Sequence, residues 1–348
     1  MTYLTERNAF ALGVLGIGTR VYQAGLIDGA HLYNAGWVSA LAACLISFPL
    51  AFCLTGLERR ISIPAPQMMT GIWHRFYCLI VCLFCIYETG CTLTLFAIST
   101  EHVSLNGFPI WALIMLIMLS VFVICLNATD AVGGIAYILF VLFVLYLGLS
   151  FVARFPSLNP RWLHPVFGPG VNKMVGSTVT MSGILTGIVP LWLAKSRGAP
   201  DKRSRAMPSI VLFIMIWVVL LMLTQSMLSP AMPFGPTSRS FLTQQLISNG
   251  RIPLTFQVLQ LPLYCATSIL IVLFSLFGAQ RTLIIAMPRL PESVAAGICL
   301  LACLIVPWLD LHSRIWIDFF NALRLCLISL PVFLYIIVQS IRKRRGNT

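Results

Sequence analysis

The sequence predicts an all-α polytopic membrane protein of about ten transmembrane helices, built as a five-plus-five inverted repeat with interruptions in helices 1 and 6. Three observations predict it. Of the 348 residues, 59% are hydrophobic and only 9% are charged, far from the balance of a soluble domain. The apolar residues gather into runs of roughly 20, the number a helix needs to cross a bilayer core about 30 Å thick. Glycines and small hydroxyl residues are concentrated in two of those runs, the first and the sixth, which stand five apart in order.

Reading apolar runs between Pro, Gly and charge clusters gives the spans in chain order. The first, 8–30, contains "ALGVLGIGTRVYQAGLIDG", in which Gly13, Gly16 and Gly18 lead to Arg20; this arginine and Asp28 leave a shallow or re-entrant segment as its alternative. No small-residue cleavage site follows a clean apolar core, so no removable signal peptide is expected. The second, 35–55, ends before Glu58, Arg59 and Arg60; the third, 71–98, carries Glu88. The fourth, 109–126, opens at Pro109, and the fifth, 135–153, lies between Gly134 and Arg154. The sixth, 173–194, ends in a basic loop; the seventh, 209–228, lies between Pro208 and Pro230. The eighth, 254–278, follows Pro253, the ninth is 293–309, and the tenth, 315–340, lies between Arg314 and Arg342. Residues 1–348 thus form a single membrane domain: a first repeat over 1–153, a second over 154–340, and a basic tail over 341–348.

Basic residues near helix ends are retained in the cytoplasm. With the N-terminus inside, the cytoplasmic segments carry Arg7; Arg59, Arg60 and Arg75; Lys195, Arg197, Lys202, Arg203 and Arg205; Arg281 and Arg289; and Arg342, Lys343, Arg344 and Arg345. The opposite loops hold only Arg154, Arg161, Lys173, Arg239, Arg251 and Arg314. Both termini are therefore expected in the cytoplasm. The net charge of +13 follows from this asymmetry and points to the lipid bilayer rather than to nucleic acid.

Ten apolar spans leave no room for a soluble catalytic domain. Eleven cysteines are present, and "CLFC" from Cys82 to Cys85 has redox spacing. It lies inside an apolar run, however, without the strand context of a thioredoxin site or a partner pair for zinc, so the cysteines read as small packing residues. The five histidines are scattered, with no H-E-x-x-H spacing. "GVLGIG" follows no strand and is no nucleotide fingerprint. No enzyme, no metal site and no cofactor is expected.

The interruptions carry the functional reading. The sixth span, "KMVGSTVTMSGILTGIVPLWLA", holds Gly176, Gly183, Gly187 and Pro190 among Ser177, Thr178, Thr180 and Ser182. Transporters with inverted repeats unwind helices at such corresponding places and expose backbone N–H and C=O groups to substrate near the midplane. Close packing of helices is the alternative for any single glycine.

The opening "LTERNAFALGVLGIGTRVYQAGLIDGAHLYNAGWVSALAACLISFPLAFCL" resembles the spore germination permeases, the B-type membrane subunits of nutrient germinant receptors. A short polar lead and a Gly-containing first helix precede a "W-x-S/A-x-L-x-A" start to the second, here Trp37, Ser39, Leu41 and Ala43. The sixth span adds Ser182, Gly183, Pro190 and the basic "KSRGAPDKRSR". Ile184, Leu185 and Thr186 depart from the pattern, where the family often carries glutamate, as does "RIPLTFQVLQLPLY" where an acid and a tryptophan are common. The resemblance implies the amino acid, polyamine and organocation transporter superfamily and a leucine-transporter-like fold. It also implies a small nutrient ligand such as an amino acid, an A-type membrane subunit and a C-type lipoprotein as partners, and the spore inner membrane as location.

An ionisable side chain in the hydrocarbon core is a functional candidate by default. Glu88 is the deepest acid, either pairing with Arg20 or Arg324 or touching ligand. Arg20 in turn meets Glu88 or a substrate carboxylate, for which its planar fork is suited. Backbone N–H groups across Gly16, Ile17, Gly18 and Thr19 offer a second carboxylate site. Thr180, Ser182 and Gly183 from the sixth span, with Gln260 and Tyr264 from the eighth, complete the expected substrate-binding set. Membrane Ser and Thr also bond their own helix backbone. Receptor, amino-acid permease and ligand-free structural subunit are the function classes that remain open.

Overall fold

The computed structural model describes residues 10–16, 36–46, 72–104, 110–127, 131–154, 159–163, 170–184 and 255–310, with helical positions at 212, 213, 216, 220 and 223. The helices are α1 (residues 10–16), α2 (Gly36–Ile46), α3 (Ile72–Ser104), α4 (Ile110–Asn127), α5 (Ala131–Arg154), α6 (Val171–Ile184), α7 (Thr255–Ala286) and α8 (Glu292–Asp310). A 3-10 turn covers Pro160–Leu163, and no strand occurs among the described residues. Helices α1 to α6 fall in the first six sequence spans, and α7 and α8 in the eighth and ninth. The tenth span lies outside the described residues.

Local chemistry fixes several helix ends. Gly170 sits at φ 90°, a left-handed conformation that costs glycine nothing, and its carbonyl accepts the first bond of α6 from Met174 N at 3.2 Å. At the α7–α8 connection Leu290 N donates to Met287 O at 3.0 Å, and Ala295 N to Pro291 O at 3.0 Å. Glu292 in the first turn of α8 places negative charge at the positive end of the helix dipole.

Helices α3 and α7 are the longest, 33 and 32 residues, and they pack against each other more extensively than any other described pair. The register follows from four contacts. The Phe96 and Tyr264 rings meet with centroids 5.9 Å apart, and Cys82 reaches Thr282 at the other end, so α3 and α7 run antiparallel. Gly90 lies against Val306, and Cys82 also reaches Cys299, so α3 and α8 run parallel. These directions match the alternation that an eighth and a ninth span must have relative to a third. Gly90 is required at its place: a Cβ there would lie against Val306 Cβ, 2.6 Å from Cγ1 and 3.1 Å from Cγ2. Such close backbone approach is what small residues permit between membrane helices.

Outside this trio, α4 packs on α3, α7 and α8, and α5 on α7. Along α4 the buried positions Ile114, Ile117, Met118 and Val121 alternate with exposed Met115, Leu116, Leu119 and Val123. Helix α5 likewise exposes Leu142, Leu145, Leu149 and Val152. Both faces of these helices are apolar because one faces protein and the other hydrocarbon. Phe10 of α1 stacks edge-on against Phe140 of α5 at 5.4 Å, and the Ser39 hydroxyl of α2 donates to Met174 O of α6 at 3.3 Å.

The eighth span is longer than the sequence reading, which ended it at Gly278 ahead of Gln280 and Arg281. The helix continues to Ala286 because both polar residues find partners. Gln280 Nε2 donates to Glu292 O at 3.1 Å, and Arg281 approaches Glu292 Oε1 at 3.7 Å while lying 5.0 Å from the Phe277 ring centroid. Helix α3 also runs six residues past its expected end at Ile98, to Ser104.

Candidate functional site

Helix α3 carries a run of buried polar side chains at its middle. Glu88 is 3% exposed, inside a helix whose neighbouring positions Cys85, Ile86, Tyr87, Thr89 and Thr92 are also buried. The hydroxyls around it are turned onto their own helix. Thr89 donates to Cys85 O at 2.8 Å, Thr92 to Glu88 O at 2.8 Å and Thr94 to Gly90 O at 2.9 Å. Threonine in an apolar helix satisfies its only proton in this way, and what it then presents sideways is oxygen lone pairs.

Helix α7 answers with the same chemistry. Thr267 donates to Tyr264 O at 3.1 Å, and the adjacent Ser268 is 1% exposed, its Oγ without a hydrogen-bond partner among the described residues. The antiparallel register set by Phe96–Tyr264 and Cys82–Thr282 brings Ser268 to the level of the α3 segment that follows Thr92. Buried hydroxyls on α3 and α7 thus present acceptors to the bundle interior, and α3 adds the carboxyl of Glu88. Acceptor oxygens beside a carboxylate suit a positively charged group such as an ammonium, and they repel a second anion.

The expected site residues divide as follows. Gly16 is buried at the last described position of α1, whereas Ile17, Gly18, Thr19 and Arg20 lie outside the described residues. The expected break at Gly16–Gly18 and the Arg20–Glu88 pairing therefore lie outside them too, as does Arg324. Ser182 is buried on α6, and its hydroxyl donates to Val179 O at 2.7 Å, so its proton is committed to the helix. Thr180 and Gly183 are helical positions of the same element, and Gln260 is a helical position of α7. Tyr264 is buried, its ring stacked at 38° on Phe96. The described structure therefore brings Glu88 and Tyr264 onto one helix pair.

Thr92, Thr267 and Ser268 were not among the residues expected from sequence. The signal was present: "ATS" at 266–268 is a small hydroxyl pair one turn beyond Tyr264, in the middle of an apolar run. Among the buried cysteines, Cys82 of α3 reaches both Thr282 of α7 and Cys299 of α8. Cys78, Cys82, Cys85, Cys91, Cys299 and Cys303 are buried thiols. No cluster of three or more metal-ligating side chains occurs among the described residues.

No protein-family model and no curated protein matches the sequence. Solved structures do match. Mhp1, a nucleobase-cation-symport-1 family transporter in a closed conformation with bromovinylhydantoin bound, matches with a TM-score of 0.68 and 15% identity, over 95% of this chain and 78% of that one. A Na+-coupled sialic acid symporter in a substrate-bound outward-open state gives 0.62 and 14%, over 94% of this chain and 78% of its own. A mutant manganese transporter of Eremococcus coleocola gives 0.61 and 13%, over 96% and 78%. At these identities the likeness is one of fold. The chain is a multi-pass, all-α membrane protein with the leucine-transporter-like fold of two inverted repeats.

Proposed function

We propose that the protein is a secondary transporter that carries a small amino-acid-like solute through alternating access. The observation that supports this most is the match to Mhp1 over 95% of the chain, accompanied by two further structures that are also transporters. The buried hydroxyls of α3 and α7 offer acceptors suited to a ligand ammonium, and the buried Glu88 would be its counter-charge. Gly16, Ile17, Gly18, Thr19 and Arg20 would then take the ligand carboxylate, and Thr180, Ser182, Gly183, Gln260 and Tyr264 would order the rest.

The second reading is the B-type subunit of a spore nutrient-germinant receptor. It is favoured by the N-terminal resemblance through Trp37, Ser39, Leu41 and Ala43. In that reading the same pocket binds a nutrient, and the differential affinity of two conformations is passed to an A-type membrane subunit and a C-type lipoprotein. The location would be the spore inner membrane, with both termini cytoplasmic.

Purified protein, offered a panel of radiolabelled amino acids in binding assays and in proteoliposome uptake, tests both readings. Uptake supports the transporter. Saturable binding without uptake supports the receptor, and neither result for any amino acid refutes both.

A further inference from the structure

Helices α3 and α8 meet along a seam lined with sulfur. They run parallel, and two contacts fix their register independently. Gly90 lies against Val306, and two turns earlier on each helix Cys82 touches Cys299. Cys85 and Cys303 stand one turn further along the two helices, and all four side chains are buried thiols. The Cys82 and Cys299 sulfurs are within hydrogen-bonding contact of each other, with Thr282 of α7 on the same sulfur. The Thr282 hydroxyl gives its proton to the α7 backbone, at Gly278 O 2.8 Å away or Ala279 O at 3.0 Å. Toward Cys82 it therefore offers an acceptor.

We propose that Cys82 and Cys299 are a thiol-oxidation site, forming a reversible disulfide that staples α3 to α8. The step needs a two-electron oxidant small and neutral enough to enter the bundle, such as hydrogen peroxide. One sulfur attacks the peroxide oxygen to give a sulfenic acid and water. The neighbouring thiol then displaces the sulfenic oxygen as a second water, leaving the S–S bond; two thiols and one peroxide yield one disulfide and two waters. Both sulfurs are buried, so the oxidant reaches them rarely and the reaction is slow. It is nevertheless selective, because a sulfenic acid formed at either position has its resolving thiol already in contact. Closing the contact to the S–S bond length of about 2.05 Å requires side-chain rotation in a pair of helices whose spacing Gly90 already holds close.

The experiment treats the full chain, reconstituted in lipid nanodiscs, with hydrogen peroxide. Remaining thiols are counted by maleimide labelling after denaturation, and intact mass is recorded. The expected result is loss of two thiols with the mass decrease of two hydrogens, restored by dithiothreitol. This loss should be absent in Cys82→Ser and in Cys299→Ser and retained in Cys85→Ser and Cys303→Ser. Cys82→Ala and Cys299→Ala replace the serine variants if those do not yield folded protein. An unchanged thiol count in the wild type overturns the proposal, as does a disulfide that survives removal of Cys82 or requires Cys85 or Cys303.

Discussion

Replacing Gly90 with alanine tests whether α3 and α8 are in backbone contact. The new Cβ would stand 2.6 Å from Val306 Cγ1 and 3.1 Å from Cγ2, and against Val306 Cβ. Carbon atoms pack best at about 3.5–4.0 Å, and no Val306 rotamer moves its Cβ, so the helices must separate by roughly 1 Å. A Cβ cannot rotate out of the way, which puts the cost near the upper end of the usual overpacking range of about 1–3 kcal/mol. Alanine returns about 1 kcal/mol of helix propensity, leaving a net loss of about 2 kcal/mol. Adding Val306→Ala removes both methyl contacts while keeping Val306 Cβ, so it should restore part of the loss, with a coupling energy of about 1 kcal/mol or more. The measurement is equilibrium unfolding in mixed micelles for the wild type, both single variants and the pair. Gly90→Ala within about 0.5 kcal/mol of wild type, or a double variant that is simply additive, would refute the close crossing.

Other perturbations probe the remaining contacts. Ser39→Ala removes the hydroxyl that ties α2 to Met174 O of α6 and should cost about 0.5–1.5 kcal/mol in the same unfolding assay; no change would mean the contact contributes nothing. Arg281→Ala loses an ion pair at 3.7 Å whose Glu292 side chain is 65% exposed, so the electrostatic part should stay below about 1 kcal/mol. It should shrink in high salt, while the packing on Phe277 is lost at any salt concentration. Glu88→Gln should weaken binding of an amino-acid ligand at least tenfold, about 1.4 kcal/mol, by removing the counter-charge, and an unaltered dissociation constant would take Glu88 out of the site. Tyr264→Ala removes the ring packed on Phe96 and should cost about 3–5 kcal/mol in the unfolding assay; a loss below about 1 kcal/mol would mean the ring contact contributes little.

The membrane class was legible because it rests on composition and on apolar run length, which no tertiary contact overrides. The pairing of glycine-rich first and sixth spans pointed to inverted repeats, and the structural likeness to Mhp1 agrees with that fold. Helix ends were less legible. Gln280 and Arg281 looked like the edge of a span, and only their contacts with Glu292 and Phe277 explain why the helix runs through them. The role of Gly90 was invisible, since nothing in "YETGCTL" says that Val306, more than 200 residues later, will press against it. Ser268 was missed for a related reason: a hydroxyl in an apolar run reads as satisfied by its own backbone, which holds for Thr267 but not for its neighbour.

The lengths of α3 and α7 also say how the protein meets its bilayer. At about 1.5 Å per residue, 33 and 32 residues extend roughly 50 and 48 Å. The hydrocarbon core is about 30 Å thick and the whole bilayer about 40–45 Å, so a typical tilt of about 20° still leaves both helices longer than the membrane. Their ends must therefore stand among or beyond the lipid headgroups. That puts the Arg281–Glu292 bridge in wet surroundings, in keeping with its exposed glutamate. This pair of long helices should keep the protein folded in thick and thin bilayers alike.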